Sequence, residues 1–206
     1  QYFGRLDNFG VNKKEGGIYE QDDLTKDSLH YENMHELVTN KAKEFINKAN
    51  EEETPFFMYL SHYLVHGPWE PSKRFTTEKE WNTRLENQGG LNPTVYPAMV
   101  RELDWHIGEI VNELEKLGMT ENTVIFFTSD NGPWLTNNPE RSAGSAWPLR
   151  GSKFNTFEGG HRVPGIVKYP KRIPSGLISN ELVSSMDIFP TIAHLSGASL
   201  PEDKII

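Results

Sequence analysis

The sequence predicts an α/β fold with a mostly parallel sheet covered by helices on both faces. Two short apolar runs, FFMYLS at 56–61 and TVIFFT at 123–128, are rich in β-branched and aromatic residues, which is typical of buried strands. Amphipathic helical patterns precede both runs, and polar residues follow both. The resulting order of strand, helix, strand, loop, strand and helix is that of a parallel sheet with helical crossovers.

The composition excludes several classes of function. The chain has 206 residues with 21 Lys and Arg against 29 Asp and Glu, a formal net charge of −8, and no basic stripe. We therefore expect no nucleic-acid partner. No apolar run approaches the roughly 20 residues needed to cross a bilayer, so we expect no membrane span. Cysteine is absent, which excludes disulfides, thiolate metal sites and a cysteine nucleophile within this sequence.

The first third of the chain predicts an irregular lead-in and one helix. Residues 1–27 are rich in Gly, Asn and charge without a sustained period, so we expect loop with short strands. Residues 28–50 carry apolar side chains at helical spacing, namely Met34, Leu37, Val38, Ala42, Phe45, Ile46 and Ala49. His30 and His35 are five positions apart, so they do not share a face as ligands, and we expect them to be exposed or partly packed.

A histidine-rich segment follows the first predicted strand. His62 and His66 come directly after the strand at 56–61, and Gly67 and Pro68 hold the second of them in a turn. Residues 70–94 predict a long polar loop. The spacing from 95 to 117 predicts a second helix that ends at Gly118, with one apolar stripe made of Val100, Leu103, Ile107, Ile110, Val111, Leu114 and Leu117. Asp104 and His106, in the middle of that helix, predict a solvated face or a buried polar contact.

The stretch from 123 to 164 carries the strongest functional pattern. Its strand ends in Ser129, Asp130, Asn131 and Gly132. Ligands of open α/β sheets bind outside the carboxyl ends of the strands, so an acid and an amide placed there are candidates for chemistry. Lys153 and Arg162 lie on either side of a Glu-Gly-Gly turn, which brings their positive charges near the same edge of the sheet. A third strand at 165–169 and a final helix at 184–196, kinked at Pro190, complete the pattern.

These motifs together resemble a known family. FFMYLSHYLVHGPW, FFTSDNGP, LRGSKFNTFEGGHRVP and SSMDIFPTIAHLSGASLP follow one another between about residues 50 and 203. They resemble the central part of a sulfatase of the arylsulfatase A or N-acetylgalactosamine-6-sulfatase kind, within the alkaline-phosphatase superfamily. The resemblance implies an alkaline-phosphatase-like fold, incomplete here, and hydrolysis of a sulfuric ester. We interpret residues 1–206 as one partial catalytic domain, with 28–203 as its family-like core.

The resemblance also implies roles for individual residues. Asp130 and Asn131 match the oxygen ligands of a divalent cation, Ca²⁺ or Mg²⁺, and hard oxygen donors suit both ions. Lys153 matches a catalytic lysine that contacts the sulfate group. His66 matches the histidine that protonates the departing alcohol. The choice of His66 rather than His62 depends on the His-Gly-Pro pattern.

Two further residues of the last motif have more peripheral implied roles. His161 is a candidate for contact with the substrate. Arg162 matches a recurrent arginine, which we assign to holding its loop together. Trp69, Trp134 and Trp147 lie in loops beside the motifs, and their faces suit sugar rings, although simple packing explains them equally well.

Several parts of the family pattern are missing. Sulfatases use a formylglycine made from a Cys or Ser in a Cys/Ser-x-Pro/Ala-x-Arg motif, and this sequence lacks that motif. The paired aspartates of the cation site and a Lys-x-His element are missing too. We interpret the chain as an internal fragment whose formylglycine lies upstream, and we predict that the isolated chain is inactive. Turnover of a nitrophenyl or methylumbelliferyl sulfate by the purified chain would refute this.

Two alternatives remain open from the sequence. One is a phosphoryl or phosphonate hydrolase of the same superfamily, although a single Asp-Asn pair followed by Lys153 favours the sulfatase branch. The other is a non-catalytic pseudoenzyme that binds sulfated glycan. Family members are mostly exported or lysosomal, which implies a secreted, periplasmic or lysosomal protein. The absence of cysteine and of Asn-x-Ser/Thr acceptors favours a bacterial origin.

Overall fold

The computed structural model describes residues 3–6, 17–20, 23–26, 31–87 and 91–201, with side chains from 34–86 and 91–201. His30, positions 89–90 of the predicted loop and residues 202–203 of the predicted core lie outside these ranges. The chain divides into two compact units, residues 1–171 and 172–206. The first unit begins with an antiparallel sheet in the order β1 (Phe3–Leu6), β2 (Gly17–Glu20) and β3 (Asp23–Lys26). The lead-in thus contains the short strands that the sequence predicts.

Three helices of the first unit follow, namely α1 (Tyr31–Glu51), α2 (Glu78–Asn87) and α3 (Tyr96–Lys116). Side-chain hydrogen bonds join α1 to α3 at Thr39–His106, Lys43–Glu109 and Asn47–Glu113. Because the residue numbers rise together along both helices, α1 and α3 run in the same direction. Gly118 has a φ of 69°, as expected for the glycine that follows a helix end.

The buried face of α3 differs from the predicted one. The predicted apolar stripe includes Val100, which is exposed, whereas Met99, Glu102, His106 and Glu113 are buried. This face is buried because its polar side chains pair with α1 and with the segment around Ser72. A hydrophobic period therefore predicted the helix correctly but not which side chains it buries most deeply.

Helix α2 corrects the prediction of a long loop at 70–94. Its first turn carries a reciprocal cap, in which the Glu80 backbone N–H donates to the Thr77 hydroxyl and the Thr77 backbone N–H donates to the Glu80 carboxylate. This Thr-x-x-Glu pattern is a helix-start signal that was readable in the sequence. Short 3₁₀ helices at Lys73–Phe75 and Pro93–Val95 flank α2.

The predicted strand at 56–61 does not form within the described part of the chain. Its side chains alternate between half-buried and exposed, with Phe57 and Tyr59 facing solvent, which is typical of extended backbone. A strand is defined by hydrogen bonds to a neighbour, and none of the described residues pairs with this segment. The sequence pattern therefore identified an extended segment but not its pairing.

The two strands that flank residues 129–164 are antiparallel, whereas the sequence predicted a parallel arrangement. Strand β4 (Ile125–Thr128) and strand β5 (Gly165–Lys168) are antiparallel, with Thr128 opposite Gly165, and the single-turn helix α4 (Glu158–His161) lies between them. A parallel pair needs a crossover that returns the chain to the start of the first strand. Residues 129–164 instead return it to the end of β4, so the predicted parallel order is wrong for this pair.

A small hydrophobic cluster supports the segment that carries His66. It contains Leu64, Trp69, Val95, Met99 and Ala143, all buried. The Trp69 ring also packs edge-on against Tyr96, with ring centroids 5.3 Å apart. Trp69 is therefore a packing residue, as one of its two predicted roles required, and its face is not available to a sugar.

The second unit contains helix α5 (Ile188–Ser196). Ser184 and Asp187 form a capping box just before it, and Gly197 ends it with a φ of 75°. Pro190 lies in the first turn, where backbone N–H groups have no partner within the helix, so it removes no hydrogen bond. The predicted kink therefore has no cause at this position.

Candidate active site

Close contact between two backbones builds the candidate site. The Gly132 N–H donates to the Gly160 carbonyl at 2.9 Å, and the Lys153 N–H donates to the Pro133 carbonyl at 3.0 Å. A Cβ on Gly132 would overlap the Gly159 carbonyl oxygen, and a Cβ on Gly160 would overlap the Asn155 carbonyl oxygen. These glycines are needed because two stretches of main chain touch here. We call this contact of Gly132, Gly159 and Gly160 the glycine junction.

The structure brings His66 and Lys153 together. The Lys153 Nζ lies 3.5 Å from the His66 Nε2. The His66 Nδ1 lies 2.7 Å from the Gly67 carbonyl oxygen, which can only accept, so Nδ1 carries the proton of the neutral ring. The Nε2 lone pair then faces the ammonium. The Tyr63 hydroxyl donates to the same carbonyl at 2.9 Å, and its ring lies edge-on to His66 at 5.5 Å.

Asp130 and Asn131, the predicted oxygen ligands of the cation, lie just after the end of β4 and directly before Gly132 of the glycine junction. Asp130 is exposed, with the Ser129 hydroxyl 3.4 Å from its Oδ1. The Asn131 side-chain amide donates to the Gly132 carbonyl at 2.9 Å, which leaves its Oδ1 available to another partner. The hydrogen bond from the Lys153 N–H to the Pro133 carbonyl connects this segment to the loop that carries Lys153.

The donor chemistry of Asp130 and Asn131 fits Ca²⁺ or Mg²⁺, which prefer carboxylate and amide oxygens. The two residues supply only part of the roughly six to eight oxygens that Ca²⁺ takes. Among the residues whose side chains are described, no group of three or more His, Asp or Glu is arranged to hold a metal ion. The site is therefore of the right kind but incomplete in its ligands.

His161 and Arg162 are both exposed near α4. The His161 Nε2 lies 3.6 Å from one oxygen of the Glu158 carboxylate, and an Arg162 nitrogen lies 3.4 Å from the other. The Arg162–Glu158 contact spans one helical turn and agrees with the predicted role of Arg162 in holding the loop. His161 presents a solvent-facing ring that is paired with Glu158.

Two aromatic rings flank the Lys153 ammonium. Its Nζ lies 5.7 Å from the centroid of Trp134 and 5.4 Å from that of Phe154. The two rings meet edge-on, with centroids 6.0 Å apart. Trp134 is 39% exposed and Trp147 is 87% exposed, so neither ring is enclosed by the described part of the chain. Phe154 was not predicted as a site residue, since no sequence period marks it.

Three imidazoles form a cluster that is largely shielded from solvent. His35 and His106 are each 1% exposed, and both rings approach His62, with centroids 5.4 Å apart in each case. The expectation that His35 is exposed or partly packed is therefore wrong. His35, Thr39, Ala42 and Ile46 share one buried face of α1, and this helical spacing was the signal that could have identified it. We call His35, His62 and His106 the histidine cluster.

Hydrogen bonds fix the proton positions in this cluster. The Thr39 hydroxyl donates to the His35 carbonyl at 2.9 Å, so it must accept from the His106 Nδ1 at 2.8 Å. The His62 Nδ1 accepts from the Leu64 N–H at 3.3 Å, which places the proton of the neutral His62 ring on Nε2. That Nε2 is shut off from solvent and has no hydrogen-bond partner within the described part of the chain.

The electrostatics of the cluster disfavour charge on His62. Its burial, followed by the proximity of His35 and His106, lowers the pKa of His62 from 6.5 to about 3, although Glu102 acts in the opposite direction. Glu102 is fully buried and accepts hydrogen bonds from the backbone N–H and hydroxyl of Ser72. His62 is therefore a neutral structural residue at physiological pH.

The chain resembles known proteins over almost its full length. The model of the Sulfatase family matches residues 2–198. Human steryl-sulfatase is 37% identical over 187 residues, which cover 89% of this chain and 30% of that protein. Mouse N-acetylgalactosamine-6-sulfatase is 37% identical over 174 residues, 84% of this chain and 31% of that protein. The chain thus spans only about 30% of the length of these relatives.

This chain also has a fold similar to that of solved structures. The crystal structure of Ps i-CgsB in complex with k-i-k-neocarrahexaose superposes with a TM-score of 0.73 at 29% identity. The match covers 91% of this chain and 38% of that chain. In the part of this chain that the structure describes, no helix has the length and apolarity required to traverse a bilayer.

Proposed function

Because the chain belongs to the sulfatase family, we propose that the full-length protein hydrolyses sulfuric esters and that this chain supplies part of the catalytic centre. The single observation that supports the proposal most strongly is the 3.5 Å approach of the Lys153 Nζ to the His66 Nε2. The glycine junction connects the Lys153 loop to the segment of Asp130 and Asn131. A cation, an imidazole and two oxygen donors on neighbouring backbones form a site for an anionic ester.

Lys153 and His66 have complementary roles in this proposal. The Lys153 ammonium binds the sulfate oxygens and offsets the negative charge that develops in the transition state. His66 holds a proton at Nε2 and transfers it to the departing alcohol oxygen. Without an anion, a protonated His66 would repel the nearby ammonium, whereas a bound sulfate would attract both groups.

Asp130 and Asn131 would hold a Ca²⁺ or Mg²⁺ ion through their side-chain oxygens. When bound, such an ion polarises sulfate oxygens as a Lewis acid. We propose that the remaining ligands and a formylglycine nucleophile are encoded outside this sequence, which contains no cysteine. We likewise propose that β4 and β5 join a larger, mostly parallel sheet of the alkaline-phosphatase type in the full-length protein.

A sulfated carbohydrate is the substrate class that we propose. One relative is an N-acetylgalactosamine-6-sulfatase, and one similar solved structure holds the oligosaccharide k-i-k-neocarrahexaose. The exposed rings of Trp134 and Trp147 offer faces for sugars, and His161 is a further solvent-facing polar candidate. Aryl sulfates remain a second candidate because their rings suit the same surfaces. We propose an exported location, either secreted, periplasmic or lysosomal.

The experiment that tests this function is an assay of the full-length protein with matched esters. Methylumbelliferyl sulfate, methylumbelliferyl phosphate and N-acetylgalactosamine 6-sulfate are supplied with Ca²⁺, and released product is measured. We expect turnover of the sulfates and at least a hundredfold lower kcat/KM for the phosphate. Preferential phosphate hydrolysis would favour the phosphoryl-hydrolase alternative, and binding of sulfated sugar without turnover would favour a pseudoenzyme. The isolated 206-residue chain is expected to be inactive in the same assay.

A further inference from the structure

Phe154 adopts a backbone conformation that its side chain does not favour. Its φ is +74°, in the left-handed region, and the only other non-glycine residue with a positive φ in the described chain is Glu53. Glu53 follows the end of α1, where a left-handed residue commonly terminates a helix. Phe154 terminates no helix. It occupies the third position of a turn closed by the Asn155 N–H and the Ser152 carbonyl at 2.9 Å, a position that usually holds glycine when φ is positive.

Burial does not explain the phenylalanine either. The Phe154 residue is 83% exposed among the described residues of this chain, so packing against them removes little of its apolar surface from water. A glycine at this position would relieve the backbone strain and remove an exposed ring. Strained residues of this kind persist where the surrounding structure holds them in place, and they cluster at active sites and ligand clamps.

The surroundings of Phe154 indicate which ligand the ring contacts. The Lys153 Nζ lies 5.4 Å from the Phe154 centroid and 3.5 Å from the His66 Nε2, so the ammonium has the catalytic imidazole and the aromatic ring as neighbours. Trp134 meets Phe154 edge-on at 6.0 Å and extends the apolar surface. A sulfate held by Lys153 carries its alcohol part only one ester oxygen away, which places that part next to the two rings.

We infer that Phe154 and Trp134 form an aromatic subsite that binds the ring of the alcohol part of the sulfate ester. This inference rests on the proposed function and adds to it the element that distinguishes cyclic esters from small acyclic ones. Both a pyranose and an aryl group present a flat or ring-shaped face of C–H or π character to such a surface. The contact exists before and during the reaction, so it contributes to binding of substrate and transition state alike.

The test compares Phe154→Gly with Phe154→Tyr in the full-length protein. We expect F154G to raise KM for methylumbelliferyl sulfate, N-acetylgalactosamine 6-sulfate or both by roughly 5- to 20-fold, with kcat within about twofold of wild type. F154Y, which keeps the ring, should retain the wild-type KM. Inorganic sulfate carries no ring, so its inhibition constant should be unchanged in F154G. The melting temperature of F154G should equal or exceed that of wild type, because the strained φ is relieved.

Each outcome has a defined consequence. An effect on the aryl ester alone, the sugar ester alone or both supports the subsite and identifies which source of ring it takes. Unchanged KM values for both esters overturn it. A matching rise in the inhibition constant of inorganic sulfate also overturns it, since Phe154 would then only position Lys153, and so does a lowered melting temperature.

Failure of the proposed hydrolysis is detected separately. A wild-type protein without turnover is titrated with N-acetylgalactosamine 6-sulfate by calorimetry. Binding by wild type with a loss of roughly 5- to 20-fold in F154G supports the subsite although hydrolysis has failed. Equal binding by both proteins, or no binding by wild type, overturns the subsite.

Discussion

His62 and His66 lie four residues apart in one segment, yet their surroundings differ completely. His62 packs against His35 and His106, and burial lowers its pKa to about 3. His66 faces the Lys153 ammonium at 3.5 Å. The comparison shows that a histidine-rich motif does not by itself identify which histidine belongs to a site. The packing around each ring determines which imidazole is accessible to a ligand.

The two rings also differ in the position of their proton. The Leu64 N–H occupies the His62 Nδ1, so the neutral ring of His62 keeps its proton on a solvent-inaccessible Nε2. The Gly67 carbonyl accepts a hydrogen bond from the His66 Nδ1, which leaves the lone pair of the neutral ring on the His66 Nε2, facing Lys153. A single backbone contact at each residue thus selects opposite tautomers within one short segment.

The largest effect that we expect separates these histidines by activity. His66→Asn in the full-length protein should lower kcat by about 10²- to 10⁴-fold, the usual contribution of a general acid. The loss should be greater for a sugar sulfate than for methylumbelliferyl sulfate, because a phenolic leaving group needs less protonation. The measurement is steady-state kinetics with both esters, and the melting temperature should stay near that of wild type.

The matched change is His62→Asn. It should lower the melting temperature and leave the kcat of the folded fraction within a few-fold of wild type. If H62N instead shows the leaving-group dependence and H66N does not, the assignment of the two histidines is reversed.

Removal of the ammonium should have the next largest effect. Lys153→Met should lower kcat/KM by about 10²- to 10³-fold, as for loss of one preorganised charge, and should weaken inhibition by inorganic sulfate. Lys48→Met provides a control, since Lys48 is an exposed residue of α1 in an i,i+4 pair with Glu52. Equal activity of K153M and K48M would remove Lys153 from the site.

The histidine cluster predicts an acid-sensitive fold. In the unfolded chain His62 binds a proton as the pH falls below its ordinary pKa of 6.5, whereas the folded chain resists protonation until about pH 3. The free energy of unfolding should therefore decrease as the pH falls through this window, by up to about 1.4 kcal/mol per pH unit from this group. Above pH 6.5 both states are neutral at His62, so this contribution is constant. Denaturant unfolding at several pH values measures the slope.

The control for the acid sensitivity is His62→Gln, which cannot titrate. Its pH slope between 4 and 6 should be shallower than that of wild type by close to one proton. An unchanged slope would show that His62 is not the source of the acid sensitivity.

The smallest effect concerns the orientation of the His66 ring. Tyr63→Phe removes the hydroxyl that donates to the Gly67 carbonyl and keeps the ring that packs on His66. The loss of one hydrogen bond of about 0.5–1.5 kcal/mol should lower kcat by less than about tenfold. Tyr63→Leu, which also removes the ring, should have the larger effect, and the reverse order would show that the hydroxyl rather than the packing orients His66.

The sequence predicted the parts of this molecule that depend on local pattern. Neighbouring residues were enough to predict the hydrophobic periods of α1 and α3, the glycine at 118 and the motifs around His66 and Lys153. The antiparallel β4–β5 pair was not, because strand direction depends on where the intervening chain returns. The histidine cluster joins three separate segments, so no local window contains it. The strain at Phe154 is a property of backbone geometry that composition does not record.

The glycine junction has a consequence for how this centre can diversify. Main-chain hydrogen bonds, from Gly132 to Gly160 and from Lys153 to Pro133, hold the backbone that follows residues 130–131 against the loop that carries Lys153. Exchange of the aromatic residues around the Lys153 ammonium should therefore leave these main-chain contacts in place, so the proposed site could change its ester preference without losing them. A redesign for a new leaving group should accordingly begin with the rings and leave the three glycines untouched.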